Sequence, residues 1–170
     1  FTSFRKRALQ KRQKTQGIKN ILISMGGSDK RNITYNVLQQ LNDGFNIVVV
    51  LGSASLYSEM IIDYAKGKNI EVIINADNMA ELMLDADLAI GAGGSTSWER
   101  CCLGLPTLLF VIAENQRVIA ENLEHLGAVI IVRSLKDDLQ MMVSNFELWK
   151  TMSEKSQAIC DGFGVKRIKI

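Results

Sequence analysis

Short, continuous apolar runs alternate along this chain with segments whose apolar residues recur every three or four positions. Asn20-Ile-Leu-Ile-Ser-Met25 is rich in β-branched residues and runs into Gly26-Gly27-Ser28-Asp29. Ile33, Val37, Leu38 and Leu41 then follow a helical period, closed by Asn42-Asp43-Gly44. The alternation continues with a strand over 45–51, a helix over 56–65, a strand over 70–74 and a short helix over 79–84 capped by Asp77 or Asn78. The apolar run 84–90 reads as a buried strand leading into Gly91. A helix over 96–103, a strand over 107–112, a helix over 116–126 and a strand over 128–132 come next. Helices are expected again over 137–143 and 146–159.

Strands with a polar face alternate in hydrophobicity. These are apolar throughout, as strands covered on both faces are. About six such strands separated by helices predict an α/β fold with a doubly wound parallel sheet, Rossmann-like in architecture. Ligands of such sheets bind beyond the carboxyl ends of the strands. The glycine-rich elements at 26–28, 52–53 and 91–94 all fall at those ends.

Composition narrows this picture. With 170 residues, 47% hydrophobic and 22% charged, the chain can bury one good core. A net charge of +2 gives no case for nucleic acid as a partner. Much of the basic excess lies between Phe4-Arg5-Lys6-Arg7 and Lys14, and is expected to form a solvated connecting helix or linker over 1–18. A single Rossmann-like domain is expected over 19–170. Cys101, Cys102 and Cys160 have no zinc-motif spacing and fit buried or half-buried free thiols in a reducing compartment. His125, the single histidine, has no partner histidine for a metal and is expected at the surface near a helix end. There is no signal-peptide pattern and no apolar run of membrane-spanning length, so the expected location is cytoplasmic. The sequence opens at Phe1, without methionine, as a fragment of a longer protein does.

The chemistry concentrates at Gly91-Ala-Gly-Gly-Ser95-Thr96-Ser97. A strand, a tight glycine turn and a helix start together make an anion site, because the free N–H groups and the helix dipole favour a phosphate. Gly94, Ser95, Thr96 and Ser97 are therefore candidate ligands of a diphosphate. Glu99, one turn into the helix, is placed to accept hydrogen bonds from a sugar's hydroxyls; Thr96-Ser-Trp-Glu99 has capping-box spacing as well. Trp98 is expected in the core or in helix packing rather than as a base-stacking platform; Arg100 can pair with a phosphate, but is expected as an exposed arginine in the first turns of the helix. Gly26, Gly27 and Ser28 can hold a phosphate or sugar oxygen, and serve equally as a turn and helix cap. Asn115 and Gln116 can bond a sugar or the phosphates, or cap the helix that follows. Asp85 and Asp87 are expected to be structural, and Asp77-Asn78 to cap. No GxGxxG fingerprint, Walker lysine, acid–base pair or nucleophile with its base is present, so no cofactor or metal is called for.

The turn Gly-Gly-Ser after the first strand, the block from Gly91 to Pro106, Ala113-Glu-Asn-Gln116 and the closing Asp161-Gly-Phe-Gly-Val-Lys-Arg167 resemble the UDP-sugar hydrolases of pseudaminic acid biosynthesis. More distantly the chain resembles the MurG-type glycosyltransferases, whose GT-B fold has two Rossmann-like halves. The resemblance runs from Asn20 over nearly all of the chain. It implies the C-terminal half of a GT-B-type enzyme that releases UDP from UDP-2,4-diacetamido-2,4,6-trideoxy-β-L-altropyranose. It also implies that Glu99 holds the ribose, that the following helix start meets the diphosphate, and that Asn115 faces the reacting sugar. In the hydrolases the catalytic histidine lies in a glycine-rich loop of the N-terminal half. His125 lies in the wrong context to replace it, so that half is the expected partner in catalysis. A glycosyltransferase or a non-catalytic sugar-nucleotide-binding module would use the same pocket.

Overall fold

The computed structural model describes residues 1–27 and 29–164. Its strands are β1 (Asn20–Ser24), β2 (Asn46–Leu51), β3 (Ile70–Ile74), β4 (Leu88–Ala92), β5 (Thr107–Phe110) and β6 (Val129–Ile131). They form one sheet in the order β3-β2-β1-β4-β5-β6, and every neighbouring pair is parallel. Helices α1 (Thr2–Lys14), α2 (Ile33–Gln40), α3 (Ser58–Ala65), α4 (Met79–Asp85), α5 (Ser95–Cys102), α6 (Arg117–His125), α7 (Leu135–Ser144) and α8 (Phe146–Ile159) complete the fold.

The continuous apolar runs are explained by burial on both faces. Ile21 and Ile23 of β1 join Val49, Ile90, Leu108 and Trp149 in one core, while Leu22 between them joins Val50, Ala89, Met83 and Leu103 in another. A third cluster of Leu109, Ala120, Leu123, Cys101 and Val129 seats α6. Each fully buried leucine or isoleucine contributes roughly 1.5–3 kcal/mol, which makes this layering the main source of stability.

Three boundaries differ from the expectation, each for a local reason. Residues 84 and 85 of the run 84–90 finish α4, and the strand starts only at Leu88. The Asp87 carboxylate makes the turn between them, accepting the N–H groups of Lys19 at 3.1 Å and Asn20 at 2.9 Å. Its structural role is as expected. Strand β5 stops at Phe110, because the Ile112 N–H donates to Gln116 Oε1 at 3.1 Å and leaves the ladder. The stretch expected to open a helix at 116 is a 3-10 turn over Glu114–Gln116.

The basic lead is helical as expected, with Lys6, Arg7 and Lys14 exposed, but it is not solvated on every side. It forms α1, with Ala8 and Arg12 buried, and its cations cap the carboxyl ends of other helices. Arg12 donates to Met83 O at 2.7 Å, and Lys11 to Ala86 O at 3.1 Å and Asp87 Oδ1 at 2.9 Å, at the end of α4. Arg5 donates to Cys102 O at the end of α5, and to Gln157 O and Cys160 O at the end of α8. Cations suit the negative end of a helix dipole, so these carbonyls fix the lead against the domain. Burial lowers the pKa of Arg12 to about 10, with Asp87 and Asp85 opposing the shift.

Trp149 is fully buried, stacks on Phe146 and donates its Nε1–H to Asp87 O at 2.8 Å. The three cysteines are free: Cys101 and Cys102 are buried and Cys160 is half-buried. Desolvation pushes the Cys101 thiol up to about 11, where it is inert. His125 is exposed at the end of α6. No helix among the described residues is long and apolar enough to cross a membrane, and no metal-binding cluster occurs among them.

Candidate functional site

In the observed strand order, β1 lies between β2 and β4, so successive connections leave it in opposite directions. This is the switch point at which an open parallel sheet parts its crossovers and leaves a crevice. Ser24 pairs with Gly91 in register, and the two glycine-rich turns emerge side by side. The turn after β5 lies next along the same edge.

The turn after β1 is closed by its own acid. Asp29 is buried, and its two carboxylate oxygens accept the N–H groups of Ile33 at 2.9 Å and Thr34 at 2.8 Å. The amino end of α2 therefore already holds an anion. Gly26 and Gly27 are exposed, and a Cβ at Gly52 would stand 2.3 Å from the Gly27 carbonyl oxygen, so Gly52 lets the turns after β1 and β2 touch. Ser28 lies outside the described residues.

The turn after β4 is open. Gly93 N–H is engaged by Phe110 O at 3.0 Å, and Gly94 N–H by Ser97 Oγ at 3.3 Å. Ser97 N–H in turn bonds Gly94 O at 3.0 Å. The N–H groups of Ser95 and Thr96 have no acceptor among the described residues. Both residues have accessible side chains, and they start a helix whose dipole adds to the positive potential.

Ser97 has a different place from the one expected. It is buried, and its hydroxyl oxygen accepts from both Gly94 N–H and Arg100 Nη2, so it shapes the turn from inside rather than facing a ligand. Because Ser97 makes the capping contact, Glu99 is released from it. Glu99 is half-buried and forms no hydrogen bond or ion pair among the described residues. Desolvation raises its pKa, against the field of Arg100.

Arg100 is not the exposed arginine expected. It is 2% exposed, and its Nη2 donates to Ala92 O at 2.8 Å and Ser97 Oγ at 3.1 Å. A Cβ on Gly91 would lie 2.5 Å from Arg100 Nη1 and 2.7 Å from Ser24 O, so glycine at 91 makes room for the guanidinium. The sequence did carry a signal. Ser97, Arg100 and Cys101 stand at i, i+3 and i+4, the spacing of one inward helix stripe. Trp98, about 100° further round the helix from Ser97, is 43% exposed instead of packed as expected.

The third turn carries Asn115, which is exposed on the 3-10 turn, and Gln116. Gln116 does not cap α6 with its side chain; its Oε1 ties back to Ile112 N–H. Its Cβ is 3.2 Å from where a Cβ on Gly93 would be, so the second and third turns touch. A cleft of about 350 Å³ joins the first turn to the third, lined by Asp29, Lys30, Arg31, Ile33, Ile112, Ala113 and Gln116. Lys30 and Arg31 add cationic groups that sequence reasoning passed over; the basic pair directly after the glycine turn was the available signal. Asp77 and Asn78 stand apart from these turns, beside Phe1, Phe4 and Met79. Asn78 occupies the N-cap of α4, but its side chain makes no capping bond.

Comparison with known proteins bears on the family and the fold. Residues 6–158 match the family described as glycosyltransferase family 28 C-terminal domain. An uncharacterised protein of Methanocaldococcus jannaschii, MJ1062, is 41% identical over 119 residues, which cover 66% of this chain and 25% of that protein. The spore coat polysaccharide biosynthesis protein SpsG of Bacillus subtilis is 29% identical over 164 residues, 88% of this chain and 48% of SpsG. The chain thus spans between a quarter and about half the length of these relatives. Among solved structures, S. aureus MnaA with UDP superposes with a TM-score of 0.72 at 16% identity, over 94% of this chain and 46% of that one. Acinetobacter baumannii MurG gives 0.67 at 20% identity, over 94% and 50%. At these identities the structural likeness is one of fold, and it places the chain with the Rossmann-like C-terminal halves of GT-B proteins.

Proposed function

The chain belongs to the glycosyltransferase family 28 C-terminal domain family, and from that premise we propose that it is the UDP-sugar-binding half of an enzyme that releases UDP. The observation that carries this reading is the open turn after β4. Two N–H groups at Ser95 and Thr96 and the Glu99 carboxylate, all without a hydrogen-bond partner among the described residues, lie with a helix dipole at the switch point of the sheet. Ser95, Thr96 and the α5 amino end hold the diphosphate. Glu99 accepts hydrogen bonds from the ribose hydroxyls. Gly26, Gly27 and Ser28 border the phosphates, and Asn115 and Gln116 face the sugar.

The substrate is a UDP-diacetamido-trideoxyhexose of pseudaminic acid-type biosynthesis, and the acceptor is water. Water attacks the anomeric carbon, the bond from that carbon to the β-phosphate oxygen breaks, and UDP departs with the electron pair. The N–H groups at the α5 start stabilise the charge that develops on the leaving phosphate. The group that takes the proton from water lies on an N-terminal domain, which is the partner this reading requires. The resemblance to the hydrolases and the relation to SpsG, a polysaccharide biosynthesis protein, support it.

Family membership favours a second reading, in which a sugar hydroxyl replaces water in the same pocket. UDP release from the diacetamido UDP-sugar by the full-length enzyme, with no acceptor added, separates the two. Turnover without acceptor is expected, and a strict need for an acceptor hydroxyl would establish transfer. For the pocket itself, Glu99→Ala is expected to weaken UDP about tenfold in calorimetric titration, as loss of hydrogen bonds to a charged acceptor does. An unchanged affinity removes Glu99 from the site.

A further inference from the structure

Arg100 places a positive charge inside the protein, where it meets the field of neighbouring Glu99 but no carboxylate in contact. It makes no ion pair among the described residues, and its Nε is buried without a partner. The other deeply buried arginine, Arg12, has the negative carboxyl end of α4 and the field of Asp87 around it. Arg100 has the opposite surroundings. Helical side chains lean toward the amino end, and its guanidinium reaches back to Ala92 O and Gly91, beneath the positive end of its own helix. Desolvation lowers its pKa only to about 10, so it stays charged at neutral pH. A buried cation set against a helix amino terminus is unfavourable on its own and becomes favourable when an anion arrives.

We propose that Arg100 is a positioning residue for the phosphates of the bound nucleotide. It anchors the glycine turn from beneath through Ala92 O and Ser97 Oγ, and its charge is balanced by the diphosphate when the ligand binds. The inference rests on the diphosphate reading of this turn. Gly91 is part of the same device, since any side chain there would expel the guanidinium. The arrangement leaves the Ser95 and Thr96 N–H groups without an acceptor among the described residues.

The test is a set of titrations on the full chain with UDP, inorganic pyrophosphate and uridine, for wild type, Arg100→Met and Arg100→Lys. Arg100→Met is expected to weaken UDP and pyrophosphate about tenfold or more, as loss of charged hydrogen bonds does, and to leave uridine unchanged. Arg100→Lys keeps the charge but cannot hold Ala92 and Ser97 together, so intermediate affinities for both phosphate ligands are expected. If UDP affinity is unchanged in Arg100→Met, or uridine weakens in parallel, the arginine is only structural and the proposal fails. Should Arg100→Met not fold, Arg100→Lys decides, and wild-type pyrophosphate affinity in that variant overturns the proposal. A wild type that binds pyrophosphate but not UDP would sink the nucleotide reading and leave Arg100 to be judged on pyrophosphate. A wild type that binds neither overturns both.

Discussion

Two glycine turns stand side by side at the centre of this sheet, one after β1 and one after β4, and they have opposite electrostatics. The first fills the amino end of α2 with the carboxylate of Asp29. The second leaves the amino end of α5 without an acid and buries a cation, Arg100, beneath it. Strand, glycines, hydroxyl and helix start are common to both in sequence. A helix amino terminus is therefore an anion site only when the chain has not already supplied the anion. In the proposed reading the open turn grips the phosphates, and the closed one is a wall of the cleft.

The largest effect that bears on this contrast is expected from glycine substitution. Gly91→Ala would drive a Cβ into Arg100 Nη1 and the Ser24 carbonyl, and overpacking of this kind costs about 3 kcal/mol. Gly27→Ala has nothing within 4 Å of its new Cβ. Chemical denaturation of the two variants should show a large loss for the first and little for the second. Similar losses in both would mean that the two turns are equally crowded.

Asp29→Ala comes next. It strips the acceptor from two helix N–H groups, and a lost cap costs about 1–2 kcal/mol. Stability should fall while UDP affinity does not, because the carboxylate serves the helix and repels phosphate. A drop in UDP affinity without loss of stability would erase the distinction between the turns.

Glu99 provides a pH test of the open turn. Burial holds its pKa above the ordinary carboxylate value in the unliganded protein. In the proposed site ribose hydroxyls would donate to the ionised form, so binding would lower that pKa and be favoured above it. UDP affinity should decline as pH falls through the raised pKa, by about tenfold per pH unit at the steepest. Glu99→Gln shares the titration of the UDP phosphates and lacks this one, so the difference between their pH profiles isolates the carboxylate. Parallel profiles would show that Glu99 does not meet the ligand. The same raised pKa makes the carboxyl a stabilising group at low pH, and its contribution is lost as pH rises through the folded-state pKa.

The smallest effect is expected from Thr96→Ala, which removes a hydroxyl but keeps the backbone N–H. One neutral hydrogen bond of about 0.5–1.5 kcal/mol corresponds to a few-fold loss in UDP affinity. A hundredfold loss would move the grip from the backbone to the side chain.

Much of this was legible in the chain. Strands apolar at every position, such as Ile21-Leu22-Ile23, had to be covered on both faces, and the helices between them had to cross over. The parallel α/β architecture and the location of the glycine turns at strand ends follow from that period alone. The helix start at Ser95 and Thr96, with Glu99 one turn later, was legible as well, because both are local features.

What the sequence by itself determined was thus local: which residues form strands, which turns start helices and which groups those turns carry. Only the tertiary structure decided which turn is open. In sequence Asp29 reads as part of a turn and helix cap, and Arg100 as an exposed arginine of a helix's first turns. Asp29 meets N–H groups four and five residues on, a local contact, whereas what Arg100 meets depends on the packing of α5 against β4. The same holds for the basic lead, whose charges look solvated until the ends of α4, α5 and α8 are brought beneath them. Charge acts over a few ångströms in space, and neighbours at that distance are set by the fold rather than by adjacency in the chain.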